Sequence, residues 1–301
     1  MQSSTLKILH GGMLVWLTLG CSEPKRLDPV STFVPLQKTG PVKIKKFDQL
    51  KQGEAEVWYL GHAGYAVRTT SRILIFDCAL MEPAKQDTSG LAGGIIDLEE
   101  LNGLNTIFFV SHDHPDHFNP LLFVAFQRQN PSIRWIVSSD VYDAITSLDT
   151  VMTNVTVPRL YRRMNIDGMI VRGIKSNDGG VAYVVQVDGL QLYFGGDHAW
   201  WAWDTKSKRP EREFKAELDR LTGYRFDLAF LAIDPSLRAY DFAGALHFVK
   251  RFKPNMVFPM HKLGDNASES IAFRNAVLET GLSNAALVRQ RGDFFHYVKP
   301  Q

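Results

Sequence analysis

The sequence predicts an α/β fold: two β-sheets packed face to face, with helices on both outer faces. Three observations predict it. Short runs rich in β-branched and aromatic residues recur in both halves of the 301-residue chain. Stretches with helical spacing interrupt those runs. One run, "NTIFFVS" (105–111), is continuously apolar over strand length, as a strand covered on both sides must be.

The elements follow in order. "EVWYLG" (56–61), "YAVRTT" (65–70) and "RILIFD" (72–77) are short β-rich runs separated by Gly and Ser turns, the pattern of a meander. "NTIFFVS" (105–111) is a continuous apolar run of strand length and reads as a central strand. "NPLLFVAFQRQN" (119–130) reads as a helix, with Asn119 free to cap its first turn and Pro120 at the first helical position, where a missing N–H costs nothing. In the second half, "MIVRGIK", "VAYVVQV", "LQLYFGG" and "DLAFLAI" read as strands, and 211–222, 239–252 and 267–280 carry helical spacing. "NMVFPMH" and "AALVRQ" add two late strands. There is no tandem repeat of solenoid length.

With 45% hydrophobic and 22% charged residues, the composition is that of an ordinary globular protein. A formal charge of +2 and a pI near 8.4 are too mild for a dedicated nucleic-acid binder, which needs a concentrated basic face to displace counterions. Small or mixed-charge substrates fit better.

The N-terminus sets Lys7 before a short apolar segment, "GGMLVWLTLG", that ends at Cys21, an arrangement resembling a bacterial secretory signal with a lipoprotein cleavage site. About nine apolar residues are too few to span a bilayer as a mature helix. The expectation is a signal segment at 1–20, a Pro-rich tether at 21–53 and a folded domain at 54–301, anchored to a membrane through lipid on Cys21 and facing the periplasm or cell surface. The other reading is an N-terminal strand or helix buried in a cytoplasmic domain. After cleavage Cys78 is the one thiol besides Cys21, so no internal disulfide frames the fold.

The densest chemistry lies in "VSHDHPDHFNP" (110–120), where three histidines and two aspartates fall within six positions at the end of an apolar run. His112 and His114 are two apart, so on an extended segment they project to the same side and share one ion. Pro115 then bends the chain, so Asp116 and His117 face a second ion or the open side of the first. Imidazole and carboxylate at this density suit zinc, one or two ions, with manganese or iron as the harder alternatives.

"HDHPDH" resembles the His-x-His-x-Asp-His motif of the metallo-β-lactamase-fold hydrolases, and the rest of that pattern can be sought in order. "LIFD" supplies Asp77 at the end of an early strand, "LYFGGD" supplies Asp197 after a glycine, and "VFPMH" supplies His261 after a late strand. The resemblance implies a four-layer αββα sandwich with a metal site at one rim. It implies that His112 and His114 hold one metal, that Asp116, His117 and His261 hold the other, and that Asp197 bridges them. Asp77 is then the carboxylate that fixes a ligand histidine's tautomer and orientation, or else an ordinary turn aspartate.

The chain departs from the pattern at one place. Relatives with two full sites carry a further histidine before the strand that here reads "VAYVVQV"; this chain has "IKSNDGG" there, and no histidine from 118 to 197. Asp178 is the replacement ligand on offer, through oxygen, which would move the preference from zinc towards manganese or iron. His198 adjoins Asp197 and points to the opposite side if the segment is extended.

Around this cluster, "HAWWAWD" places Trp200, Trp201 and Trp203 together, either as an apolar wall for substrate or as packing beneath a loop. "LGHAGYAV" puts His62 in a turn similar to one in the branch that includes ascorbate-6-phosphate lactonase and N-acyl phosphatidylethanolamine phospholipase D, so His62 either approaches the site or bonds to backbone. In "AIDPSLR", Asp234 and Arg238 either order substrate or tie the loop. Lys206, Lys208, Arg209 and Arg212 read as a solvated basic loop rather than a phosphate site.

The implied function is a metal-dependent hydrolase in which hydroxide generated on the metal attacks an ester, lactone or phosphodiester of a small or lipid-like substrate, with Asp116 orienting the water or taking its proton. The span from Asp197 to His261 is too short for the extra domain of the family's nucleases. The alternative class is a surface-anchored, metal-holding protein that captures a ligand without turnover, and the absent histidine supports it.

Overall fold

A computed structural model describes residues 49–80, 89–148, 152–201, 206–234, 241–261 and 267–300. The expected signal segment, Cys21 and the tether up to residue 48 lie outside the described residues, as do Trp203 and Arg238. No described helix is long and apolar enough to cross a membrane.

The first sheet begins as the expected meander: β1 (Glu54–Gly61), β2 (Gly64–Arg68) and β3 (Arg72–Phe76) are sequential antiparallel neighbours. β4 (Asn105–Val110) then pairs parallel to β3, β5 (Arg134–Val137) to β4, and β6 (Val155–Thr156) to β5. Two helices carry the chain between these parallel strands. In α1 (Pro120–Gln129), Asn119 caps as expected, its side chain accepting from the N–H groups of Leu121 and Leu122 at 3.0 and 3.4 Å. The second is α2 (Ser139–Thr146).

The second sheet continues with β7 (Met164–Ile166), β8 (Met169–Lys175), β9 (Val181–Val187) and β10 (Leu190–Phe194), all antiparallel neighbours. β11 (Leu228–Ala232) and β12 (Met256–Met260) extend it in parallel through α3 (Arg209–Asp219) and α4 (Ala243–Phe252). α5 (Ala267–Glu279) leads to the two-residue β13 (Asn284–Ala285). β14 (Phe294–Val298) returns to the first sheet and pairs antiparallel with β1. Each sheet has seven strands among the described residues.

The fully apolar runs are explained by the layers. A strand's side chains alternate between faces, and here both faces are covered. In β4, Ile107 and Phe109 enter the core between the sheets, while Phe108 and Val110 enter a second core that also takes in Leu122, Phe123 and Phe126 of α1. In β11, Leu228 and Phe230 point to the inter-sheet core, and Ala229 and Leu231 to a third core with Phe214 of α3 and Phe248 of α4. The order is therefore α, β, β, α. Phe76, Phe109 and Phe194 stack at the centre, with centroids 4.8 and 4.6 Å from Phe76. Burying each such ring contributes about 1.5–3 kcal/mol.

Two expectations need correction. "AALVRQ" is a strand only through Ala285; Ala286 still donates to the Val257 carbonyl at 2.9 Å, but beyond it the chain is irregular and Val288 is apolar because it is buried. The fourth helix begins at Ala243, where 239 was expected.

Candidate metal centre

Every member of the cluster lies just beyond the carboxyl end of a strand. His62 follows β1, Asp77 β3, the histidine turn β4, Asp178 β8, Asp197 β10, Asp234 β11 and His261 β12. These strand ends meet at one rim, so residues far apart in sequence converge. Two contacts stitch the sheets there. The Tyr183 hydroxyl donates to the Val110 carbonyl at 2.8 Å, and the Val181 N–H to the Ser111 carbonyl at 2.9 Å. Gly180 makes the second contact feasible. Its φ is +57°, and a Cβ there would sit 1.9 Å from the Ser111 carbonyl oxygen.

The ligand atoms form two groups, each with its members within 4.8 Å of one another: His62, Asp116, His117 and His261 in one, and His112, His114 and Asp197 in the other. Asp197 faces both. One carboxylate oxygen is 3.3 Å from His112 Nε2; the other is 3.1 Å from His117 Nε2 and 3.4 Å from His261 Nε2. The buried Nε2 atoms of His112 and His117 and the Oδ1 of Asp197 have no aligned hydrogen bond among the described residues, despite this proximity. A buried polar atom left so costs about 1–3 kcal/mol. A cation between them would relieve that cost, so the donor set fits a zinc, manganese or iron ion.

The first group is braced from behind. Asp77 shares a 2.7 Å hydrogen bond with His117 Nδ1 and accepts from the Ser111 N–H and hydroxyl at 2.7 and 2.6 Å. Asp234 does the same for His261 Nδ1 at 2.5 Å. Both bonds leave Nε2 of each ring aimed at the pocket. Burial alone would lower the His117 pKa, but the nearby carboxylates of Asp197 and Asp77 outweigh that and raise it to about 10. The hydrogen bond from His62 holds the Asp116 carboxyl well below the usual range. His62, Asp77 and His261 all have positive φ, of 48°, 42° and 61°. For residues other than glycine this is strained backbone that surrounding structure must hold in place.

The second group has less support. His112 Nδ1 shares a 2.9 Å hydrogen bond with Ser111 Oγ, and His114 is exposed. Asp178 stands near: burial and the charge of Asp197 raise its pKa, while His114, His112 and His261 pull it down. Its carboxylate is not among the atoms within 4.8 Å of one another. Asn177 pins the loop after Asp197, donating to the Ala199 carbonyl at 2.7 Å and accepting from its N–H at 3.2 Å.

His198 turns away into the outer core, where its Nδ1 shares a 2.7 Å hydrogen bond with the Tyr193 hydroxyl and burial pushes its pKa down to about 3. Trp200 and Trp201 pack rather than form an open wall. Trp201 is buried, donates to the Asp197 carbonyl at 2.8 Å and lies nearly perpendicular to the His261 ring, with the centroids 5.5 Å apart. Trp200 is half-buried, lies close to Gly244 of α4, and carries Lys215 4.9 Å over its ring. Asp234 holds His261. In the basic loop, Lys208 and Arg209 pair with Glu211 and Glu213 at 3.8 and 2.7 Å in solvent. Nothing in the sequence singles out Ser111, and Asn177 is one of the residues offered in place of the absent histidine, where the structure gives it the role of pinning a loop. The strand register, which pairs Phe76 with Phe109, is what sets Asp77 beside Ser111.

No family sequence model matches the chain, and no curated protein matches it by sequence. Solved structures do match. The chain is similar to Igni18, a metallo hydrolase from the archaeon Ignicoccus hospitalis, at 18% identity and TM-score 0.59, over 82% of this chain and 100% of that one. It is similar to YhfI of Bacillus subtilis, a metallo-β-lactamase fold protein, at 13% identity and TM-score 0.53, over 81% of this chain and 100% of that one. It is also similar to CmlA, a diiron β-hydroxylase from Streptomyces venezuelae, at 12% identity and TM-score 0.56; the match covers 85% of this chain and 55% of that longer one. The chain has the metallo-β-lactamase fold.

Proposed function

We propose that this chain is a metal-dependent hydrolase acting on an ester, lactone or phosphodiester of a small or lipid-like molecule, in the manner of the lactonase and phospholipase branch its motifs resemble. The observation that carries the reading is the pair of ligand groups sharing Asp197. His112 and His114 would hold one ion, and Asp116, His117 and His261 the other. Bound there, a metal ion supplies Lewis acidity and lowers the pKa of water to near 7. Asp116, whose side chain is 47% exposed, is placed to orient that water or take its proton. Igni18 is named a metallo hydrolase and CmlA a diiron enzyme, which favours testing iron beside zinc and manganese.

The test is a panel of ester, lactone and phosphodiester compounds offered to the purified, metal-replete full chain. Turnover that falls to background in His117→Ala is expected. A stoichiometric metal with no turnover on any class would instead support the ligand-capture reading, which rests on the histidine absent from 118–197. Export and lipid anchoring at Cys21 is a separate proposal from the "GGMLVWLTLG" segment. Labelled-lipid incorporation that persists in Cys21→Ala would overturn it.

A further inference from the structure

We infer that His62 is itself a metal ligand, completing a four-side-chain pocket with Asp116, His117 and His261, and that this pocket fills before the one formed by His112 and His114. The inference rests on the metal-site reading above and goes beyond it, because that reading gives His62 no ligand role.

His62 sits in the tight turn between β1 and β2, remote in sequence from the histidine turn, yet its Nε2 is 2.9 Å from Asp116 Oδ2. Its ring centroid is 4.3 Å from that of His261 and 5.5 Å from that of His117. The His62 carbonyl accepts from the His261 N–H at 3.0 Å and from the Tyr59 hydroxyl at 3.3 Å, so the two imidazoles are tied together through backbone. Tetrahedral zinc–ligand bonds of about 2.0–2.2 Å place the ligand atoms roughly 3.5 Å from one another. Ligand atoms already within 4.8 Å of one another need only a small contraction to meet that shell.

The competing role is a hydrogen bond that merely steadies Asp116. Glutamine can supply that hydrogen bond but not an imidazole, so two substitutions separate the roles. Zinc affinity of the full chain is measured by chelator competition in wild type, His62→Ala and His62→Gln. The expected result is a first equivalent weakened by about 100-fold in both variants, the upper end of what loss of a supporting partner costs, with the second equivalent changed little. Wild-type binding in His62→Gln would overturn the inference. The wild-type chain loaded with one equivalent of cobalt(II) gives a second readout that needs no variant. Hyperfine-shifted ring protons from three histidines are expected, and only two would overturn it. A wild-type chain that takes up no metal would sink the underlying site reading instead, a different and recognisable outcome.

Discussion

The two halves of the site use the same residue types but differ in how they are held. Around His117 and His261, two buried carboxylates stand behind the rings, and the surrounding structure holds three residues at strained positive φ. Around His112 and His114, a serine hydroxyl backs one ring, the other is exposed, and the nearest extra carboxylate, Asp178, stands outside the tight group. Affinity for a cation depends on preorganisation as well as on ligand count, since side chains that must be ordered on binding reduce what the bonds contribute. The braced half is therefore expected to bind tightly. The sparser half, offering three candidate ligands, would leave a coordination position for water on any ion it held.

The change that breaks this comparison most severely is Asp197→Ala, because Asp197 faces both halves. Both metal equivalents should weaken by at least about 100-fold in a chelator competition. Loss of only one would show that Asp197 is not shared. Next in size are Asp77→Asn and Asp234→Asn, expected to weaken the first equivalent by about 10–100-fold while sparing the second. Asp77→Asn should also lower stability by about 1–3 kcal/mol in denaturant unfolding, because Asp77 satisfies the buried Ser111 as well as His117.

Acidity sharpens the comparison further. His117 has a raised pKa and holds a proton at neutral pH without metal, so uptake by its pocket must release that proton. Apparent affinity should fall about tenfold per unit as pH drops, for each proton released. Calorimetry in buffers of different ionisation enthalpy counts those protons, and a count of zero would contradict the assignment. The smallest effect is expected from Asp178→His, which offers the sparser half an imidazole. The second equivalent should tighten by about tenfold, with the first unchanged. Equal tightening of both would mean that position 178 does not serve one half alone.

Much of the fold was legible because strands covered on both faces are apolar over most of their length, as β11 is throughout, β4 is from Ile107 and β9 is up to Val185. β5, at four residues, is too short to carry a period, and β14 places apolar Phe294 and Val298 at exposed positions, which hides its alternation, so neither stood out. The histidine turn was legible because its ligands are local in sequence. The roles of Ser111 and Asn177 were not, and for His62 two alternatives stayed open, because each depends on which strand lies beside which.

The sequence by itself determined the layered α/β pattern, the capped first helix and the candidate ligands His112, His114, Asp116 and His117, since propensity, capping and side-chain chemistry act over a few neighbouring residues. The tertiary structure alone decided which histidines are braced by a carboxylate, that His198 turns into the core, that Trp201 packs beneath the site and that His62 meets Asp116. These outcomes follow from strand register and sheet packing, which bring together residues that no local rule connects.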